Sequence, residues 1–225
     1  MSTYRFISDQ ERPRERLISH GPEVLTTPEL LAIVLRTGTS GCDAVNFGAK
    51  LLNEFGGLRN LLAADIALLQ RVKGMGNAKT CQLLAIHELA KRSLEEELQS
   101  RNALDHPHKV KAYCSSKLAH LQVEHCMAIY LDTRYRLICS EEISQGTLSQ
   151  ASVYPRELVK SSLKHHAAAV IIAHNHPSGI PEPSMADISL TKHIQKALQL
   201  VDIKLLDHLI VAADKAVSLA ESGHI

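Results

Sequence analysis

A chain of 225 residues with 45% apolar content has the material for one large domain or two small ones, each with a buried core. Its formal net charge of +1, from 25 basic and 24 acidic residues, argues against a strongly cationic nucleic-acid binder and leaves room only for a local basic face. Five cysteines without a C-x-x-C pair suggest neither a disulfide framework nor a thiolate zinc site; with no membrane-length apolar span and a polar, charged stretch over 1–16, a soluble cytoplasmic protein is expected.

Up to about residue 98 the apolar pattern is helical, with one run at Leu30, Leu31, Ile33, Val34 and Leu35 and another at Leu51, Leu52 and Phe55. Thr27-Pro28-Glu29 has the form of a helix start, and Gly38 and Gly56-Gly57 have the form of stops. Val72-Lys73-Gly74-Met75-Gly76-Asn77-Ala78-Lys79 then leads into a strongly helical stretch over 80–92. This G-x-G turn resembles a helix-hairpin-helix motif, in which glycines let backbone N–H groups face a phosphate at a helix mouth. Lys73, Gly74, Gly76 and Lys79 are thus candidates for weak, non-specific DNA contact; the competing reading is a tight helix–helix turn without a ligand. Arg12, Arg14 and Arg16 read as a solvated basic face. A polar stretch over 95–107 reads as a linker, so the expected organisation is a small all-α domain at 1–101 and a second domain at 102–225.

The second half alternates strands at 126–131 and 137–143, a helix at 155–164, a strand at 167–174, a helix at 185–200 and a strand at 203–213. Such alternation predicts an α/β architecture, a sheet covered by helices. The strand at 167–174 runs into His174-Asn175-His176-Pro177-Ser178-Gly179, followed by Ser184 and Asp187, spelling H-x-H-x7-S-x2-D. Residues i and i+2 of a strand share a face, so His174 and His176 are able to close on one ion. The proline- and glycine-rich loop then returns Asp187, at the first turn of the next helix, toward the imidazoles. Ile188, Ile194, Leu198 and Val201 form that helix's apolar stripe and leave Asp187 free to face the metal. Two imidazoles and one carboxylate leave the fourth tetrahedral position open, the arrangement of catalytic zinc. Ser184 also has a purely structural reading, since Ser-x-x-Asp at a helix start is a capping box.

His174, His176, Ser184 and Asp187 match at every spacing the JAMM signature of MPN-domain zinc metallopeptidases, and His174-Asn175-His176-Pro177-Ser178-Gly179 is similar to the version in bacterial RadC-type (UPF0758) proteins. The resemblance extends to Gln145-Gly146-Thr147-Leu148, to Val153-Tyr154-Pro155-Arg156-Glu157 and to Leu206-Asp207-His208-Leu209-Ile210. In the first half it takes in Arg12-Pro13-Arg14-Glu15-Arg16-Leu17 and the stretch over 30–39. It implies an MPN (JAMM) fold holding Zn2+, and hydrolysis of an amide, peptide or isopeptide, in a protein or peptide substrate.

By the same resemblance the general base comes from the edge of an early strand, where Glu124 stands two residues before the 126–131 run; Glu141 and Glu142 on the next strand compete for the role, and a solvated glutamate is the plain alternative. Ser184 is expected to donate a hydrogen bond to the oxyanion. Asp207-His208, a charged pair within an apolar strand, reads either as support for a zinc-bound imidazole or as a hydrogen-bonded core pair. Asn175 and Ser178 are expected to shape the metal loop. Two other functions compete: a DNA-repair-associated protein gripping phosphates through the helix-hairpin-helix, and a zinc-dependent nuclease.

Overall fold

The computed structural model describes residues 12–146, 153–212 and 215–225. Thr147 and Leu148, within one of the matching stretches, and Ala213, at the end of the last expected strand, lie outside the described residues. The chain forms two compact units, one ending at Ala90 and the other spanning Lys91–Ile225.

In the first unit, α1 (Pro13–His20), α2 (Thr27–Leu35), α3 (Ala44–Phe55), α4 (Leu58–Ala63) and α5 (Ile66–Arg71) precede a long helix, α6 (Asn77–Ser100), within which the division between units falls. Helix α2 starts at a reciprocal capping box of Thr26 and Glu29 with proline in its first turn. Helix α3 stops at Gly56, which holds the left-handed conformation that glycine adopts without strain. Leu31, Leu35, Phe47, Leu51, Leu61, Leu69 and Leu83 make the core of this unit.

The acidic run expected in a linker is helical as far as Ser100. Glutamate is a good helix former, and here packing adds to propensity. Leu94 and Leu98 turn into the core of the second unit, while Glu95 pairs with Lys117 and Glu97 with Lys109 on α7 (Pro107–Leu118). An alternative face for this polar segment therefore exists only in tertiary structure, which periodicity alone does not convey.

The second unit continues with β1 (His125–Leu131), β2 (Leu137–Gln145), α8 (Pro155–Lys164), β3 (Ala169–Asn175), α9 (Met185–Gln199), β4 (Lys204–Ala212) and β5 (Lys215–Ser218). Its five-stranded sheet has the order β2-β1-β3-β4-β5. Among the described strands only β3 and β4 are parallel, joined by α9 as the crossover such a pair requires. Every position of β3 is buried, which is why it reads as an unbroken apolar run.

Alternation sorts the two faces. Met127, Ile129, Leu131, Ile171 and Ala173 pack with Val110, Tyr113 and Cys114 of α7. Ala128, Tyr130, Val170 and Ile172 pack with Leu158 of α8 and with Ile194 and Leu198 of α9. The sheet is thus covered on both faces, as expected from the alternating pattern. His174 continues the series of even-numbered residues on β3, so it emerges on the side of α9.

Candidate metal centre

His174 is the next-to-last residue of β3, and His176 lies one residue past its end, held in line by a backbone hydrogen bond from its N–H to the Val211 carbonyl (2.8 Å). Asp187 sits in the first turn of α9. One donor atom from each of the three lies within 4.8 Å of the others. The two Nε2 atoms face each other at 2.9 Å, with Asp187 Oδ1 3.3 Å from His174 Nε2 and Oδ2 3.6 Å from His176 Nε2.

Each imidazole uses its other nitrogen elsewhere. His176 Nδ1 lies 2.8 Å from the Ile180 carbonyl, an acceptor only, so Nδ1 carries the proton and Nε2 keeps its lone pair. His174 Nδ1 lies 2.7 Å from His208 Nε2. Two converging lone pairs and a carboxylate repel one another unless positive charge stands between them. In keeping with this, the Asp187 carboxylate raises the proton affinity of His176 above the ordinary histidine value, against the effect of burial. Burial alone would raise the Asp187 carboxyl, but His174, His176 and the Ser184 hydroxyl hold it far below the usual carboxylate range. Two nitrogens and one oxygen, one buried and two partly buried and together net anionic, are a donor set that fits a zinc ion with an open position.

Ser184 is the N-cap of α9 and forms the complete capping box. Its Oγ accepts from the Asp187 N–H (3.1 Å), and its own hydroxyl donates to Asp187 Oδ2 (2.6 Å), the oxygen that faces His176. The cap read as a structural alternative is therefore present, and it also aims the carboxylate.

The three candidate bases differ in face or in the partners that engage them. The register Cys126↔His174, extended by two residues, places Glu124 across from His176. Glu124 is partly buried, and its negative charge contributes to the raised proton affinity of His176. Its segment is pinned by Asn175, whose Oδ1 accepts from His125 N (2.8 Å) and whose Nδ2 donates to the carbonyls of Leu121 (3.1 Å) and Val123 (3.0 Å). Asn175 thus orders the strand edge that carries Glu124, while Ser178 Oγ accepts a hydrogen bond from Ile180 N (3.3 Å) inside the metal loop. Glu142 is paired in register with Met127 on the α7 face and binds His125 Nδ1 at 3.0 Å. Glu141 shares the α8–α9 face but is engaged by Ser161 (2.6 Å) and His165 (2.7 Å), with Lys164 nearby.

Asp207 and His208 do not pair side chain to side chain. Asp207 accepts from His208 N (2.7 Å), Ala220 N (3.1 Å) and the Ser218 hydroxyl (2.7 Å), tying β4 to the turn beyond β5. His208 projects to the metal side and is fully buried against His174 and Thr191; burial pushes its pKa down to about 3. The part played by Thr191 was missed by sequence reasoning, and its only signal was a hydroxyl on the apolar side of α9, four residues after Asp187.

In the first unit, the turn between α5 and α6 is held by packing. Gly74 has φ +101°, and a Cβ there would come within 2.0 Å of Thr39 Cγ2. Lys79 donates to the Gly38 carbonyl (2.8 Å) and lies 4.7 Å from the Phe47 ring centroid, while Lys73 and Gly76 are exposed. No described helix is long and apolar enough to cross a membrane.

Comparison with known proteins bears on both units. Residues 104–224 match the RadC-like JAB domain family, and residues 5–81 match the UPF0758 N-terminal family. A UPF0758 protein of Bordetella parapertussis is 54% identical over 213 residues, 95% of each chain. Another, from Nitrosospira multiformis, is 52% identical over 217 residues, covering 96% of this chain and 97% of the other. A third, from Marinomonas, is 50% identical over 215 residues, 96% of each.

Proposed function

The chain belongs to the UPF0758 family, with a RadC-like JAB domain over its second half, and from that membership we propose that it is a zinc-dependent metallopeptidase of the JAMM type. It hydrolyses an amide, peptide or isopeptide, in a protein or peptide substrate. The observation that carries this reading is the convergence of His174 Nε2, His176 Nε2 and the Asp187 carboxylate, with both Nδ1 atoms occupied elsewhere.

His174, His176 and Asp187 would hold the ion. A bound zinc ion supplies Lewis acidity, polarising a carbonyl and bringing the pKa of water at its open position to about 7. Glu124, which the β1–β3 register carried on by two residues sets across from His176, would take a proton from water and deliver it to the leaving amine; the other two glutamates are engaged by His125, Ser161 and His165. Ser184 holds Asp187 in the resting state and turns its hydroxyl to the oxyanion of the substrate as charge develops there. Nucleophilic attack on an amide suits one ion and one free carboxylate better than two-metal phosphodiester chemistry.

Elemental analysis of purified protein should find one zinc per chain, and iron in its place would overturn the assignment. Glu124→Gln should keep that zinc and lose about 10²–10⁴ in turnover on a peptide library. Unchanged turnover would move the base elsewhere.

A further inference from the structure

A buried chain of hydrogen bonds connects two of the three proposed ligands through residues that touch no substrate. Thr191 Oγ1 donates to the backbone carbonyl of Asp187 (2.6 Å), one turn earlier on α9. A hydroxyl has a single proton, so at the 2.6 Å contact with His208 Nδ1 the threonine oxygen accepts and the imidazole donates. Neutral imidazole has only one N–H. His208 Nε2 is therefore an acceptor, and the 2.7 Å contact with His174 Nδ1 requires the proton to sit on His174. Only then does His174 Nε2 keep a lone pair for an ion.

We infer that Thr191 and His208 are positioning residues which lock His174 in the Nδ1–H tautomer and so prepare its Nε2 as a metal ligand. The inference rests on the metal reading above, but the tautomer itself is a property of the protein without any ion. Several features of the fold support it. Thr191, His208 and His174 come from α9, β4 and β3 and are all buried, so water does not compete for these bonds. Every proton in the chain has one permitted direction, fixed at its far end by a backbone carbonyl that accepts only. The acceptor on His176 is likewise a carbonyl, that of Ile180, which gives the second imidazole the same tautomer by a shorter route. Without the Thr191 oxygen, nothing would keep the His208 proton on Nδ1. Transfer of that proton to Nε2 would force the His174 proton onto its own Nε2 and block the ligand atom.

Long-range 15N–1H spectra of histidine-labelled, metal-free protein test this directly. The expected result for His174 is a protonated Nδ1 and a bare Nε2; a protonated Nε2 with a bare Nδ1 would overturn the inference. Thr191→Val, nearly the same shape without an acceptor, should move the His174 ring toward the other tautomer. It should also weaken zinc binding by about 10–100-fold, the usual cost of losing a partner behind a ligating imidazole. Thr191→Ser should restore both. Unchanged zinc affinity and an unchanged ring spectrum in the folded Thr191→Val protein would count against the relay. Should that variant not fold, the wild-type spectrum decides alone. Wild-type protein that takes up no zinc but shows the Nδ1–H tautomer would defeat the metal reading while leaving the inference about the ring intact.

Discussion

At the end of β3 the donor atoms converge on one another, whereas in the turn between α5 and α6 Lys79 and Gly74 are engaged by their own unit and Lys73 and Gly76 are exposed. His174, His176 and Asp187 bring two lone pairs and a negative charge to one point. Lys79 instead lies on Phe47 and donates to Gly38, and Gly74 is glycine because Thr39 leaves no room for a Cβ. A ligand site is marked by polar groups whose demand the protein leaves unanswered; a scaffold turn is marked by groups already answered nearby. The contrast marks the first place as a candidate ligand site and gives Gly74 and Lys79 a packing role at the second.

The largest effect that should break this comparison is at Asp187. Asp187→Ala should reduce zinc affinity, measured by competition with a chelating dye, by more than the roughly 10–100-fold that outer hydrogen-bond partners cost. Zinc content unchanged from wild type would contradict its place among the ligands. Ser184→Ala comes next, with an expected loss of about 10²–10³ in turnover, the usual cost of one oxyanion donor. It should also cost about 1 kcal/mol of stability from the lost cap. A loss confined to zinc affinity would reassign Ser184 to aiming Asp187 alone.

In the other region, Gly74→Ala should destabilise the chain by about 1–3 kcal/mol in urea melts, through strain at a positive φ and the Thr39 contact. A well-folded alanine variant that instead loses DNA affinity would favour the phosphate-binding reading. The smallest effect concerns Glu141, whose carboxyl the Ser161 hydroxyl holds below its ordinary value of 4.5, with burial opposing and His165 and Lys164 assisting. A lowered folded-state pKa stabilises above the unfolded value and is lost as pH falls through the folded one. Wild-type stability should therefore decline as pH drops below about 4.5, and Glu141→Gln should lack that part of the decline.

Much of this architecture was legible in the sequence because it is written in local period. The helix at 155–164 appears with the expected bounds as α8, and α9 ends one residue before its expected limit. The H-x-H pair and the aspartate after a proline-rich loop were readable for the same reason, since strand alternation and helix starts are short-range rules. What escaped depends on contacts across elements. Helix α7 gave no clear periodic signal, and β5 is only four residues long. Residues 95–100 looked like a linker until partners on α7 explained their helix. Thr191 and His208 are 17 positions apart and meet only because α9 crosses over β4. The capping box and the oxyanion donor are alternative readings of Ser184 in the sequence, yet the fold gives the residue the cap while keeping its hydroxyl on the carboxylate of the candidate metal centre.

One imidazole of the pair stands inside the sheet and the other just outside it, on a turn joined to Val211 by the His176 N–H and closed by the Gly179 N–H on the His176 carbonyl and by the Ile180 carbonyl on the ring. The sheet therefore sets the position of His174, and the turn sets that of His176. Changes within the 177–180 turn should therefore alter the position of the His176 ring more than repacking beneath β3 does.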